Sequence, residues 1–179
     1  MNIQDTWNTK RLLVRKAVSE DITALEKVCA SWDNKLLLEG EDFPENYIKD
    51  CITKGDLPPV SNADLSNYAF KVLQETDGRI IGFFDVYHGY PDDKTAWIST
   101  FLIDKETRGK SYGKEVVESI FEQCKTAGWK SIGLGVHLKN WLGVRFWTKN
   151  GFNSITGIYG NKEYSESAFS IMVLKKELL

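Results

Sequence analysis

The chain has 179 residues, of which 25 are acidic and 23 basic, so its formal net charge is −2. This length suits a single domain over residues 1–179 with a sizeable core, and the charge disfavours a nucleic-acid-binding protein, which would carry a strongly basic face. No apolar run approaches the roughly 20 residues that span a bilayer, and the polar first residues do not resemble a signal peptide, so we expect a cytoplasmic protein without a membrane partner.

The first half of the chain predicts one strand and several helices. Arg11–Arg15 alternates as a strand would, and Ser19 is placed to cap a helix with acidic residues in its first turn. A second helical stretch covers about 34–53, is interrupted near Gly40 and restarts after Pro44. The polar, proline-containing segment 55–67 predicts a loop.

The second half alternates strands with helices. Thr76–Arg79 is a turn signal between two alternating segments, and Gly128 and Asn150–Gly151 are typical helix ends. The predicted strands are Tyr68–Glu75, Ile80–Tyr87, Trp97–Ile103, Ser131–Val136 and Ala168–Leu174, and the predicted helices are Lys114–Ala127 and Trp141–Lys149. This order predicts an α+β fold, with a mixed, mostly antiparallel central sheet flanked by helices.

The three cysteines, Cys29, Cys51 and Cys124, are odd in number and widely separated. No pair of them has metal-ligand spacing, so we predict no metal site. Two of them fall in amphipathic helical patterns, where a cysteine is usually a small buried hydrophobe. A nucleophilic cysteine would need a neighbouring base, and the sequence places neither histidine beside a thiol.

The segment Thr107–Gly113 is the most informative stretch. It follows an apolar strand pattern and precedes a helical one, an arrangement that directs free backbone N–H groups and the positive end of a helix dipole at an anion. Arg108, Lys110 and Lys114 add positive charge. Three interpretations fit: an ordinary turn, a nucleotide-binding P-loop, or an acyl-coenzyme A loop. A P-loop would need glycine where Asp104 stands, and an acidic side chain there would repel a triphosphate.

Two blocks of residues carry a family resemblance. In the first, Ile103 stands five positions before the loop Arg108-Gly109-Lys110-Ser111-Tyr112-Gly113. In the second, the strand that ends at Val136 is followed by Asn140, Gly143, Trp147 and Gly151-Phe152. With these residues at this spacing, the chain resembles the GNAT superfamily of acyl-coenzyme A-dependent acetyltransferases over nearly its whole layout. Ser111 replaces a glycine of the family pattern, and a serine holds such a turn where its φ is negative.

The resemblance implies an N-acetyltransferase that uses acetyl-CoA as cosubstrate and acts on a primary amine, more readily of a small molecule than of a protein. The amine would attack the acetyl group directly in a ternary complex. Leu102 and Ile103 would offer a strand edge to the pantetheine arm, and the Ile103 amide would polarise the acetyl carbonyl and stabilise the oxyanion. The implied cofactor-binding residues are Leu102, Ile103, Arg108, Gly109, Lys110, Ser111, Tyr112, Gly113, Lys114, Asn140 and Trp147.

Both proton-transfer residues of the family pattern are missing. Trp147 stands where many relatives carry a tyrosine that acts as general acid, and Trp97 stands where some carry a glutamate base. An indole does not transfer protons in this way. The alternative to an enzyme is therefore a catalytically silent acyl-CoA-binding or regulatory module.

Other side chains are candidates for the missing proton transfer. His137 follows the strand end near the expected reaction centre, and an imidazole titrates near neutral pH. Ser99 would hold a water, and Tyr159 in a late loop would supply an acid. Asp85 and His88, which we expect near a turn, are weaker candidates. A surface or structural role is the alternative for each of them.

The acceptor site is indicated by acidic residues in the second helical region. A cationic amine would find a favourable field there, although a solvated helix face has the same pattern. Aromatic side chains of the same chain would line a pocket or fill the core, and a second copy of the chain is a candidate partner in a homodimer. The acidic residues are Glu39, Glu41, Asp42 and Glu45, and the aromatic residues are Trp32, Phe43, Tyr47 and Trp141.

Overall fold

The computed structural model describes residues 1–178, and their largest element is a nine-stranded sheet. The strands are β1 (Thr6–Asn8), β2 (Leu12–Lys16), β3 (Tyr68–Glu75), β4 (Ile80–His88), β5 (Thr95–Ile98), β6 (Phe101–Ile103), β7 (Ser131–His137), β8 (Ser154–Gly160) and β9 (Ser170–Glu177). Their order is β1-β2-β3-β4-β5-β7-β9-β8, with β6 paired to β4 beside that path. Only the β5–β7 pair is parallel among the paired strands of residues 1–178.

Helices cover both faces of the sheet because successive strand residues point to opposite sides. The helices are α1 (Ile22–Ala30), α2 (Lys35–Glu39), α3 (Tyr47–Thr53), α4 (Tyr112–Thr126) and α5 (Trp141–Lys149). Phe83 of β4 packs in a cluster with side chains of α1 and α3, while the next residue, Phe84, packs in a cluster with those of α4 and α5. The predicted α+β fold with a mostly antiparallel sheet is confirmed.

The structure corrects some of the predicted elements and confirms others. Ser19 does not cap a helix, because 19–21 forms a short 3-10 turn before α1. The predicted interruption of the stretch 34–53 is confirmed, because it forms two short helices: Gly40, with a φ of 87°, ends the first, and Asn46, with a φ of 64°, precedes the second. The structure also adds β1 and β8, which had not been assigned. The burial pattern of β8 is exposed almost throughout, so its sequence lacks the alternation that marks a half-buried strand.

The predicted strand Trp97–Ile103 is interrupted. β5 pairs with β4 through Tyr87↔Trp97, whereas β6 pairs with β4 through Phe84↔Phe101. The two registers differ by one residue, so Ser99 and Thr100 form a bulge opposite Asp85. Asp85 therefore lies in the middle of β4, fully buried, and not near a turn as expected.

The sheet opens into a gap beyond this bulge. β5 runs beside β7 only as far as Ile98↔Leu134, and from there β6 continues along β4 while β7 continues along β9. The two halves of the sheet therefore separate like the arms of a V, and the edge of β6 faces the space between them.

The N-terminal segment is held on the sheet by a neutral histidine. His88, the buried last residue of β4, donates from Nδ1 to the Asn67 carbonyl at 2.8 Å, and its Nε2 accepts the Ile3 N–H at 3.2 Å. Its ring packs against Trp129 at 5.6 Å. Burial lowers the pKa of His88 to about 4, since a charged imidazolium would lose its acceptor role and its hydration. His88 lies beside a turn, as expected, and these contacts give it an anchoring position.

The depressed pKa of His88 makes stability depend on pH. The unfolded chain takes up this proton near pH 6.5, whereas the folded protein resists it down to about pH 4. The contribution of His88 is therefore complete above about pH 6.5 and is lost as the pH falls toward 4, at up to about 1.4 kcal/mol per pH unit.

Urea unfolding between about pH 4.5 and 7.5 measures this slope. His88→Gln should flatten the fall below about pH 6.5, while His137→Gln, the same change at the other histidine, should leave it in place. An unchanged slope in His88→Gln would contradict the assignment.

Candidate active site

A turn with two left-handed residues connects β6 to α4. Gly109 has a φ of 77° and Ser111 a φ of 65°. Ser111 therefore holds the turn with a positive φ and not with the negative φ considered for a serine at this position. A side chain in this conformation costs roughly 1–2 kcal/mol, and the turn accepts that strain because alternating backbone handedness curls successive N–H groups into an anion-binding nest.

The turn presents a row of unused main-chain donors. Within residues 1–178, no hydrogen bond uses the N–H groups of 109–111. Those of 112–114 occupy the first turn of α4, whose N–H groups have no partner inside a helix, and the Glu115 N–H makes the first intrahelical bond, to the Ser111 carbonyl at 3.2 Å. Six successive N–H groups at the positive end of a helix form a site for a phosphate or pyrophosphate.

Arg11 braces this turn, and sequence analysis had not selected it. Its Nε bonds the Glu115 carboxylate at 2.7 Å, its Nη1 donates to the Lys110 carbonyl at 3.0 Å, and its guanidinium lies 4.0 Å above the Tyr112 ring. The Tyr112 hydroxyl donates to Glu75. Tyr112 and Glu115 thus hold the start of α4 against the β1–β2 turn, a long-range contact with no signal in the local sequence.

The basic side chains of the turn differ in whether they have a main-chain partner. Arg108 is exposed as a residue, but its Nε donates to the Ile103 carbonyl at 2.8 Å. Desolvation lowers the pKa of Arg108. Lys110 and Lys114 are exposed, and Lys114 has only a distant 3.6 Å contact with Glu118 on its own helix. The two lysines are therefore placed to attract an anion from solvent.

The second sequence block packs against the first. The Asn140 side chain caps α5 by accepting the Gly143 N–H at 3.0 Å. A Cβ on Gly113 would lie 3.1 Å from the Phe146 ring, so glycine lets α4 approach α5. Trp147 is buried and meets Phe101 edge to face at 5.4 Å. Two residues predicted from a resemblance, Asn140 and Trp147, thus line the same cleft.

The register of β6 determines which main-chain groups face the gap. The bonds that flank it run from Asp85 N–H to Thr100 O (3.1 Å) and from Asp104 N–H to Ile81 O (2.8 Å). Because bonded and non-bonded pairs alternate in an antiparallel ladder, Leu102 directs its backbone groups at Phe83, while Phe101 and Ile103 direct theirs into the gap. Leu102 therefore does not offer the strand edge assigned to it, and Phe101, which had not been selected, does.

The gap widens into a cleft of about 330 Å3. Its floor is the bulge, with Ser99 and Thr100, and one wall is the β7 segment 134–136. The opposite wall carries one basic and four acidic residues together with an aromatic group. These wall residues are Lys35, Glu39, Glu41, Asp42 and Asp56, and Trp32, Phe43 and Tyr47.

The lone basic residue of this wall is neutralised within it. Lys35 is buried, and its Nζ lies 3.2 Å from a carboxylate oxygen of Glu39 and 3.0 Å from the Glu41 carbonyl. Its Nζ also lies 4.8 Å from the centre of the Phe43 ring. The cleft therefore keeps a negative field from Glu41, Asp42 and Asp56, and burial raises the pKa of Asp56.

The structure brings together only part of the predicted acceptor and proton-transfer set. Ser99 lines the cleft, whereas His137, Tyr159, Trp141 and Glu45 are absent from its lining as described for residues 1–178. His137 ends β7 opposite Ile171, and its Nδ1 has no hydrogen-bond partner within these residues. Tyr159 lies on β8 with 64% of its surface exposed.

Trp97 does not occupy the place of a base in the cleft. A Cβ on Gly133 would lie only 2.9 Å from its ring, so the indole lies flat across β7. Sequence analysis also missed Lys35, Asp56 and Thr100, because they converge on the cleft from distant parts of the chain.

Neither a metal nor a membrane is indicated by the described residues. In the range 1–178, no three side chains among His, Cys, Asp and Glu are grouped to hold a metal ion. No helix in that range has the length and apolar character needed to cross a bilayer.

The sequence model of the acetyltransferase (GNAT) family matches residues 32–152, more than half of the 179 residues. The chain therefore belongs to the GNAT acetyltransferase family, and the resemblance drawn from the two sequence blocks is confirmed. This membership supports acyl transfer as its general chemistry. No curated protein sequence matches the chain significantly.

Solved acetyltransferases share the fold at low sequence identity. An acetyltransferase from Thermus thermophilus is 18% identical, with a TM-score of 0.68 over 96% of this chain and 100% of that one. Nourseothricin acetyltransferase is 15% identical, with a TM-score of 0.62 over 95% and 100%. The ribosomal-protein-S18-alanine N-acetyltransferase of Escherichia coli is 12% identical, with a TM-score of 0.65 over 92% and 92%. At these identities the likeness concerns the fold alone.

Proposed function

We propose that the protein is an acetyl-CoA-dependent N-acetyltransferase that acetylates a primary amine of a cationic small molecule. The observation that supports this most directly is the row of six unused N–H groups at 109–114, beside a cleft whose wall is acidic. The first feature suits the pyrophosphate of coenzyme A and the second suits an ammonium group. Both lie in one domain, 1–179.

The cofactor would enter along the free edge of β6. The N–H groups of Phe101 and Ile103 would bond the pantetheine arm as a neighbouring strand does. The Ile103 carbonyl already accepts from Arg108, which leaves its N–H to polarise the acetyl carbonyl. The Asn140 Oδ1 is engaged in the helix cap, so its Nδ2 would donate to the arm, and Trp147 would close the wall behind it.

The transfer itself needs few protein groups. The neutral amine attacks the acetyl carbonyl carbon, a C–N bond forms, and the oxyanion is held by the Ile103 N–H. The oxyanion then re-forms the carbonyl, the C–S bond breaks, and the coenzyme A thiolate leaves. Water bound at Ser99 takes the amine proton, and His137 and Tyr159 are further candidates for proton transfer from outside the cleft lining. A thiolate departs without a strong acid, which suits the presence of Trp147 in place of a tyrosine.

The acceptor would be a small cation and not an extended protein segment. The charge of Glu41, Asp42 and Asp56 favours a cation. The volume of about 330 Å3 lies in the range of small-ligand sites. All three cysteines are free thiols, which agrees with a reducing cytoplasm.

Cofactor binding is tested by thermal shift with acetyl-CoA, coenzyme A and ATP. Acetyl-CoA at about a hundredfold excess over its Kd should stabilise the protein by roughly 2.7 kcal/mol. Lys110→Ala/Lys114→Ala should weaken this binding roughly tenfold, because each lysine loses a charge-assisted contact. Lys125→Ala/Lys130→Ala removes the same charge at the far end of α4 and should bind normally. Equal stabilisation by ATP would favour the P-loop interpretation, and no shift with either coenzyme would refute the proposal.

Acceptor selectivity is tested by neutralising the acidic wall. Glu41→Gln/Asp42→Asn should raise KM for spermidine roughly fivefold and change KM for 2-phenylethylamine less, since exposed charge pairs contribute about 0.2–1 kcal/mol each. Glu45→Gln lies in the same segment outside the cleft lining and serves as control. Acetyl-CoA binding without turnover of any amine in a broad panel would favour the silent module instead.

We further propose that a second copy pairs with the protein along β8. This strand forms the outer edge of the sheet, and Ile155, Ile158 and Tyr159 are exposed on it. Such an edge favours pairing with another strand. Analytical ultracentrifugation should show a dimer that Ile158→Lys dissociates and that Val60→Lys, at an exposed apolar residue elsewhere, leaves intact. A monomer at all concentrations would exclude this.

A further inference from the structure

One buried carboxylate holds the bulge at the floor of the cleft. Asp85 has no exposed surface. Its Oδ1 accepts the N–H groups of Ser99 at 3.0 Å and Thr100 at 2.8 Å, and its Oδ2 accepts the Tyr68 hydroxyl at 3.0 Å. The Thr100 side chain is in turn bonded to the Tyr47 hydroxyl at 2.8 Å.

These bonds replace those that a regular ladder would supply. In a bulge two residues face one on the partner strand, so the extra N–H group has no main-chain acceptor. Oδ1 of Asp85 accepts both adjacent N–H groups and thereby fixes the point at which the strand changes register. The register set at that point determines which main-chain groups of the following residues, Phe101–Ile103, face the gap.

We propose that Asp85 is a positioning residue for acyl transfer: its carboxylate fixes the Ser99–Thr100 bulge and thereby aims the Ile103 N–H into the cleft. This inference rests on the proposed acetyltransferase function and assigns to Asp85 no contact with substrate. It differs from the proton-transfer role considered for Asp85 from the sequence, because the side chain is fully buried and its oxygens accept hydrogen bonds from Ser99, Thr100 and Tyr68.

The surroundings of Asp85 place its titration near neutral pH. Burial raises its pKa to about 7, and the negative charge of Asp56, in the loop after α3, acts in the same direction. The donors to its oxygens oppose this rise. Tyr68 of β3, and Tyr47 and Cys51 of α3, face the same space, and burial raises the pKa of each, that of Cys51 to about 12. These three groups stay neutral while Asp85 titrates.

The ionised form is the one that satisfies the bulge. A carboxylate accepts all three hydrogen bonds, whereas a protonated carboxyl carries an O–H that competes for an acceptor and weakens the bonds to the two amides. The bulge should therefore be firm above about pH 7 and loosen as the pH falls through the pKa of Asp85.

Amide NMR tests the anchoring directly. The 15N and 1H shifts of Ser99 and Thr100 should titrate together with a midpoint near pH 7 in the whole protein. Asp85→Asn should abolish this titration, and Tyr68→Phe should move it to higher pH, because the removed hydroxyl stabilises the carboxylate. Asp93→Asn makes the same charge change at an exposed turn and should leave the midpoint unchanged. Titration that persists in Asp85→Asn, or that is absent from the wild type, would overturn the proposal.

Kinetics then tests the link to catalysis, with acetyl-CoA and spermidine. Asp85→Asn should lower kcat about tenfold or more, because a displacement of the oxyanion donor acts on the chemical step, and should change KM for acetyl-CoA about twofold at most. In Asp85→Asn, the change of kcat with pH near pH 7 should vanish, while the change caused by deprotonation of the substrate amine should remain. Normal kcat in Asp85→Asn would refute the positioning role alone. An inactive wild type that also fails to bind acetyl-CoA would refute the proposed function instead.

Discussion

The change of register between β5 and β6 is the constraint on which the site depends. A continuous strand from Trp97 to Ile103 would remain beside β7 and leave no opening. The extra residue at Ser99–Thr100 shifts β6 onto a different register along β4, and the sheet separates where the β5–β7 pairing ends. This change of register leaves two adjacent N–H groups, those of Ser99 and Thr100, without partners in the strand ladder. The carboxylate of the fully buried Asp85 accepts both. The cleft therefore depends on the bulge, and the bulge depends on the buried carboxylate of Asp85.

A second strained segment lies at the other end of β6. Ser111 holds a left-handed conformation, which is unfavourable for a residue with a Cβ, and Arg11 and Glu115 fix the turn from outside. The result is a set of N–H groups already arranged before an anion arrives, so little ordering is required on binding. The bulge precedes β6, and the turn follows β6 after the short 3-10 helix 105–107.

The charges of the cleft and the loop are opposite in sign. Lys110 and Lys114 are exposed at the loop, whereas Glu41, Asp42 and Asp56 line the cleft. In the proposed acetyltransferase, such a separation would direct an anionic cosubstrate and a cationic acceptor to different ends of one cleft. In the proposed reaction it would also limit the need for a dedicated acid and base, because a negative field around the amine and an N–H donor at the acetyl oxygen would stabilise charges as they develop. Tryptophan at 97 and 147 is compatible with this arrangement.

The sequence by itself determined the α+β class, the glycine-containing turn between a strand and a helix, and the family, because these depend on local periodicity, glycine placement and short fixed spacings. It also indicated the acidic segment near Glu41. The tertiary structure decided what depends on contacts between distant segments. Because hydrogen-bonded and non-bonded pairs alternate along the strand, the backbone N–H and C=O groups of Leu102 point toward β4, whereas those of its neighbour Phe101 point into the gap. Asp85 lies 14 residues from Ser99, and Arg11 lies 104 residues from Glu115. Neither partner can be identified from local pattern, since each bond exists only once the sheet has closed.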